Sequence, residues 1–276
     1  MSVQEIWSNE NYCSFTSLVK YHDKYYCTFR EAGAHHYERN SETEGKIRII
    51  VSDNGYDWQS LALYAIESMD LRDPKLNITP DGRLMLLCGG VLYENTEYKG
   101  SFTKAAFSED GATFSELQDC HIDPAISQDR EWLWRLTWFG DTGYAVAYGP
   151  TFCLMKTTDG LNYEHVSTMD VTGFPNETTV RFTSDSTMYI MVRREKEGNQ
   201  GYWGVARPPY TEWQWTEMDI PLGGPDFCIL DDTLCIVATR SLYASEKTML
   251  LKGGLDGHFE EVCILPSGGD DNSPSI

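Results

Sequence analysis

Ser52-Asp-Asn-Gly-Tyr-Asp-Trp58 returns as Ser108-Glu-Asp-Gly-Ala-Thr-Phe114 and again as Thr157-Thr-Asp-Gly-Leu-Asn-Tyr163. Each copy has a hydroxyl residue first, Asn or Asp third, Gly fourth and an aromatic ring seventh. These are the residues of a tight hairpin turn. The hydroxyl and the Asx side chain hydrogen-bond nearby backbone N–H groups, and the Gly takes positive φ. A worn copy, Gly254-Leu-Asp-Gly-His-Phe259, is one residue short. The starts at 52, 108 and 157 lie 56 and 49 residues apart, and self-similarity at that period marks a propeller, a solenoid or an array. Asn-Gly and Asp-Gly turns are common in β proteins. Three in register, each after an apolar strand (47–51, 104–107, 153–156), carry more weight than one.

Working outward from the turns, nearly every segment reads as a short strand. Apolar positions alternate with a period of two, and none repeat at 3.6, so no helix is expected. Five units follow, with inner strands opening near Ser14, Leu71, Trp132, Asn176 and Pro225. In unit four, Pro208-Pro-Tyr-Thr-Glu-Trp-Gln-Trp215 stands where the heptad would be. The stretch 268–276 looks like the start of another inner strand. It would be either a truncated sixth blade or a segment that pairs with Val3–Trp7 to close the ring. The expected fold is all-β: one β-propeller domain over residues 1–276, with five to six four-stranded antiparallel blades.

The chain holds 276 residues, enough to bury a core, and has a formal net charge of −20. That excess of acid speaks against nucleic acid and anionic membranes as partners, because phosphate binding needs surplus Lys and Arg. Eight Cys at irregular spacing, none in a C-x-x-C, read as reduced, buried apolar side chains. The first eleven residues show neither a basic start nor an apolar run. The expected location is cytoplasmic, or secreted if a leader has been removed. No cofactor motif and no metal-ligand spacing is visible.

Function in a propeller sits where loops converge at the ends of the inner strands. The openings of the first inner strands offer Ser14, Thr16, Arg72, Asp73, Trp132, Trp134, Arg135, Asn176, Glu177, Asp226, Asp270 and Asp271. The ends of the second offer Arg30, Glu31, Arg193, Arg194 and Arg240. Three of these ends read as an apolar strand followed by Arg, in a chain with only 22 basic residues. Arg suits planar anion recognition because its fork binds a carboxylate bidentately.

The heptads resemble the Asp boxes of the sialidase superfamily, and Phe174-Pro-Asn-Glu177-Thr-Thr-Val-Arg-Phe182 with Met188-Tyr-Ile-Met-Val-Arg193 resembles that family's catalytic Glu and arginine strands. Phe29-Arg30-Glu31 resembles the first arginine strand, and Arg240 matches the third arginine in position. The resemblance implies a sialidase-like exo-acting glycoside hydrolase that cleaves a terminal, acidic sugar. Three arginines would hold the substrate anion, and the acid/base group would come from the loop 31–45, which offers His35, His36, Glu42 and Glu44. Two features depart from the family. Thr-Phe-Arg30-Glu-Ala is not an Arg-Ile-Pro motif, and no Tyr follows Asp270-Asp-Asn-Ser-Pro. A glycosidase needs two carboxyl groups flanking the scissile bond, and Asp73 and Glu177 are the candidates. Arg30, Glu31, His35, His36, Arg72, Trp134, Arg135, Arg193, Asp226 and Arg240 are expected around the substrate. A non-catalytic carbohydrate-binding propeller and an arabinan-type propeller hydrolase are the alternatives.

Overall fold

A computed structural model describes residues 3–35, 37–38, 40, 42, 44–127, 130–196, 199–241, 246–266 and 274–276. Among them there is no α-helix, and five antiparallel sheets follow one another along the chain. Blade one is β1 (Tyr12–Tyr21), β2 (Lys24–Ala32), β3 (Lys46–Ser52) and β4 (Gln59–Tyr64). Blade two is β5 (Met69–Ile78), β6 (Leu84–Glu94), β7 (Glu97–Ser108) and β8 (Gln118–Asp119). A short β9 (His121–Ile122) leads to blade three: β10 (Trp132–Phe139), β11 (Thr142–Tyr148), β12 (Cys153–Thr157) and β13 (Asn162–Thr168). Blade four is β14 (Pro175–Phe182), β15 (Met188–Arg194), β16 (Gln200–Ala206) and β17 (Gln214–Pro221). Blade five is β18 (Asp226–Leu230), β19 (Leu234–Arg240), β20 (Thr248–Gly253) and β21 (Phe259–Ile264). Each blade pairs its strands in sequence order, and β9 joins β13 in parallel. The fold is a five-bladed β-propeller, which decides between the five and six blades the sequence left open. By internal contacts the chain divides into two compact units, Met1–Leu133 with Thr157–Tyr163, and Trp134–Lys156 with Glu164–Ile276.

The second strands of blades two and four carry long dry runs. Leu84 through Leu87 have no exposed surface, nor do Ile190 to Val192. Both faces of these strands are covered, so the apolar residues run on without alternating. Fourth strands are wetter, with Leu63 on β4 and Val262 on β21 exposed. Within the first unit, Tyr21, Ile47 and Ile49 pack with Leu71, Leu76, Leu84 and Leu86 of the next blade. In the second unit, Val146 and Leu154 pack with Val180 and Ile190. Trp203 and Met191 pack in turn with Phe227 and Val237.

The three heptads form one and the same turn. The Ser52, Ser108 and Thr157 hydroxyls each accept the N–H of the Gly three residues on, at 2.9 Å. The Asn54, Asp110 and Asp159 side chains each accept two successive backbone N–H groups at 2.8–2.9 Å. Gly55, Gly111 and Gly160 have φ between 72° and 78°, which costs a β-carbon-bearing residue strain. The worn copy keeps part of this, since Asp256 accepts the His258 N–H at 3.2 Å.

Val3–Trp7 and 274–276 are not in strands, and residues 268–273, which the ring-closure expectation also needs, lie outside the described residues. Trp7 instead packs on Phe29, with the Arg48 guanidinium 5.3 Å from its ring. Asp270 and Asp271 lie outside the described residues. All eight Cys are free, and Cys27, Cys88, Cys153 and Cys235 are buried.

The turn chemistry generates a test. Partial burial pushes the Asp159 carboxyl up. The Asn162 backbone and side-chain amides, the Leu161 N–H and the Thr157 hydroxyl outweigh this and hold it at about 2. Its contribution is therefore complete above the unfolded carboxylate range and is lost as pH falls through about 2. Asp159→Ala is expected to cost about 1 kcal/mol in urea unfolding at neutral pH, discounted for exposure. Asp159→Asn should be close to neutral, because Asn54 already serves in the same turn. It should also remove the acid-dependent part of the loss.

Candidate functional site

Three inner strands share one irregularity. The register slips between Ser14 and Ser17 in β1, between Arg72 and Lys75 in β5, and between Pro175 and Thr178 in β14. Phe15 and Asp73, inside the first two, have φ of 62° and 51°, and Phe174, just before β14, has 61°. A bulge of this kind re-aims a side chain, and a non-glycine residue held at positive φ stores strain. Asp73 sits inside the bulge of blade two, and Glu177 inside that of blade four. In β14 local side-chain bonds brace the bulge: Asn176 Oδ1 accepts the Glu177 N–H at 2.7 Å, and the Thr178 hydroxyl donates to the Asn176 carbonyl at 2.7 Å.

In the first unit the bulge stands beside a buried ion pair. Arg30 has no exposed surface. Its Nε and Nη2 donate to Asp70 Oδ1 at 3.0 and 2.7 Å, and its Nη1 donates to the Ala34 carbonyl at 2.7 Å. Asp70 Oδ1 also accepts the Gly45 N–H at 2.7 Å. A β-carbon on Gly45 would fall 2.4 Å from the Arg30 guanidinium, so only glycine fits there. Burial pulls the Arg30 pKa down, and the Asp70 charge opposes it. Arg72 approaches Asp70 Oδ2 at 3.4 Å and lies 5.0 Å from the Phe15 ring. His35 Nδ1 is 2.7 Å from the Tyr12 hydroxyl, and its ring meets Tyr12 and Phe15 edge-on. Asp73 is buried, and the neighbouring Lys75 has no exposed surface. Glu31 accepts the Asn9 and Asn11 amides at 2.9 Å and Arg48 Nε at 2.9 Å. Burial pushes its carboxyl up, but Arg48 and the two amides together hold it below the usual value. In the loop, Glu44 is pushed up by burial, the direction that suits a proton donor. His36 lies outside the described residues.

In the second unit Asp226, without exposed surface, ties two arginines together. It accepts Arg135 Nη1 at 2.9 Å and Arg181 Nη2 at 2.6 Å, along with the Phe227 and Ile276 N–H groups. Arg135 is itself buried, and its Nε and Nη2 have no hydrogen-bond partner among the described residues. Glu177 Oε2 accepts the Gly224 N–H at 2.9 Å and meets Arg193 Nη1 at 3.1 Å. Arg193 also holds Glu195 at 3.0 Å. The Glu177 charge is felt at Arg135, so the two pairs form one electrostatic group. Arg240 ends β19. It reaches Glu246 at 3.9 Å, and its side chain packs on Gly223. Trp134 is fully buried and shows no face to solvent.

Sequence reasoning passed over Asp70 and Arg181, the residues that complete both ion-pair groups. Asp70 lies two positions before Arg72 on its strand, and Arg181 two after Thr179 on its own. That same-face spacing was the available signal. Among the described residues no three His, Cys, Asp or Glu side chains gather as metal ligands.

Removing one member of a buried pair leaves the other charged and stranded. Asp70→Ala is expected to lower unfolding stability by roughly 3–5 kcal/mol, measured from urea midpoints at constant m value. The double change Arg30→Met with Asp70→Leu should recover most of that loss.

No protein-family model matches the chain, and no curated protein sequence does either. Solved structures do match. A protein of unknown function from Dyadobacter fermentans superposes with a TM-score of 0.81 at 16% identity, over 96% of this chain and 86% of that one. A point mutant of NanB sialidase from Streptococcus pneumoniae gives 0.73 at 10% identity, over 93% of this chain and 62% of that one. An α-L-arabinanase from Penicillium chrysogenum, complexed with arabinobiose, gives 0.67 at 14% identity, over 95% and 83%. At these identities the likeness is one of fold: the chain is similar to β-propellers that include glycoside hydrolases.

Proposed function

We propose that the protein is a sialidase-like, exo-acting glycoside hydrolase that cleaves a terminal acidic sugar, with Asp73 and Glu177 as its two working carboxyls. One observation carries this reading. Both carboxylates sit in register-slipping bulges at the openings of inner strands, and Asp73 is held at φ 51°. Strain of that kind at a buried carboxylate is a signature of functional sites. One carboxyl acts as general acid on the leaving oxygen, and the other serves as nucleophile or base or assists one. The heptad turns fit Asp boxes and support the sialidase side of the comparison.

The substrate anion is assigned to the second unit. Arg135 and Arg181 share the single carboxylate of Asp226 there, and Arg135 has two buried N–H donors without a partner among the described residues. Buried donors left unsatisfied are costly, and a carboxylate would satisfy them. Arg30 belongs to the framework in this reading, since Asp70 and a backbone carbonyl occupy its guanidinium. That same engagement favours a second reading, an arabinan-type hydrolase acting on a neutral sugar and using the carboxylates alone.

A panel of chromogenic glycosides, with sialosides, uronides and arabinosides included, tests both. Asp73→Asn and Glu177→Gln are each expected to lower kcat/KM about 10²–10⁴-fold without lowering the melting temperature. Turnover untouched by both would remove the site assignment. Arg193→Ala should raise KM for an acidic substrate at least about tenfold while sparing neutral ones. Equal effects on both would move the reading to the neutral sugar.

A further inference from the structure

Blade four breaks the repeat. Where blades one to three carry the heptad turn, residues 207–213 form a different loop between β16 and β17. Trp215, the second residue of β17, takes the position that Tyr163 holds as the second residue of β13, and packs in the core beneath. Trp213 is therefore additional to the repeat. One of its faces stacks on Trp215, with centroids 5.4 Å apart and planes 22° apart. Its indole N–H points to the Ser167 hydroxyl at 3.4 Å. Trp213 is half-buried against the edge of the same core, and its open part lines a cavity of about 570 Å³ together with Pro208, Pro209, Arg207, Glu212 and Gln214. That volume lies within the roughly 300–1,000 Å³ common to small-molecule sites.

The loop is fastened in place. Tyr210, at φ 65°, is buried, and its N–H donates to the Arg207 carbonyl at 2.8 Å. Its hydroxyl donates to the Ser186 carbonyl at 3.0 Å, and its own carbonyl accepts the Ser167 hydroxyl at 2.8 Å. A groove anchored from three directions is organised before anything binds, which lowers the entropy lost on binding.

We propose that this groove is a saccharide-binding site on the outer strands of blade four, taking a neutral sugar whose ring lies on Trp213. The rim chemistry selects the class. Arg207 is donor-only, Glu212 is acceptor-only, and Gln214 and Thr211 are both. Sugar hydroxyls donate and accept, so they match this mixture over an aromatic face. Glu212 repels an anionic ligand, and a purely apolar one would leave the rim unpaired. Arg207 is 71% exposed and already held 3.1 Å from Asp185, so its fork is oriented and reachable. The inference does not depend on hydrolysis, since none of these residues belongs to the bulges of β5 and β14.

The test uses the full chain carrying Glu177→Gln, so that turnover does not consume the probe. Indole N–H resonances of ¹⁵N-labelled protein are followed during titration with arabinohexaose, galactohexaose, cellohexaose, sialyllactose and a proline-rich decapeptide. At least one neutral hexasaccharide is expected to shift the Trp213 indole saturably at millimolar concentration. Trp213→Ala should weaken that binding at least about tenfold, as loss of a central aromatic anchor does. Arg207→Ala and Glu212→Ala, both exposed and outside the core, should each weaken it severalfold, and they keep the test informative should Trp213→Ala fail to fold. No shift with any neutral saccharide, a shift with the peptide or sialyllactose alone, or unchanged affinity in both rim variants would overturn the proposal. Failure of catalysis in the glycoside panel leaves this outcome untouched.

Discussion

Burial of both faces along the second strands, most complete in blades two and four, constrains everything else in this chain. Leu84 to Leu87 and Ile190 to Val192 have partners on both edges and side chains covered above and below. A charged group has no place along such a strand, because an isolated buried charge is far costlier than any local gain. Polar chemistry is therefore driven to strand ends and to the bulged openings of the neighbouring first strands. The gathering of Arg30, Arg193, Arg194 and Arg240 at the ends of apolar strands follows from that exclusion before any substrate is considered.

Exclusion does not by itself make a binding site, and the two ion-pair groups show the difference. The Arg30 guanidinium is occupied on every nitrogen by Asp70 or a backbone carbonyl, and Gly45 is pressed against it. A pair so enclosed locks loop and strand together, and it repays its desolvation only through that geometry. Arg135 is equally buried but is held through one nitrogen by Asp226, which it shares with Arg181. Two arginines on one carboxylate leave Arg135 with buried donors to spare, while Arg193 is met by both Glu177 and Glu195. The first group is framework, and the second has capacity to spare.

How much of this was legible in the sequence depended on how local each interaction is. The heptad turns could be read because every bond in them lies within six residues, so residue types at fixed offsets carry the whole structure. The hairpin turn at His22 and Asp23 is as local, with both residues at positive φ. Arginines at strand ends were visible as a pattern, but their partners were not. Arg30 meets Asp70 forty residues on, and Arg135 meets Asp226 ninety-one residues on. Such pairings depend on blade register and twist, which composition and spacing do not encode. Trp134 shows the converse error. A tryptophan at a strand opening looks like a sugar platform until its strand is seen to be covered on both sides.

The bulges explain why the carboxylates themselves resisted a parity argument. Side chains along a strand alternate faces with a period of two, so an apolar residue at 71 would put residues 73 and 75 on the greasy face and residue 76 away from it. Leu71 and Leu76 nevertheless share one hydrophobic cluster, although five positions separate them. The inserted residue between Arg72 and Lys75 reverses the alternation, and Asp73 absorbs the reversal at positive φ. The core is thus correct on both sides of the slip, and the residue that takes up the mismatch is a carboxylate. Asn or Gly would hold that backbone at lower cost. An acidic side chain in its place makes sense where the carboxylate has work that outweighs the strain.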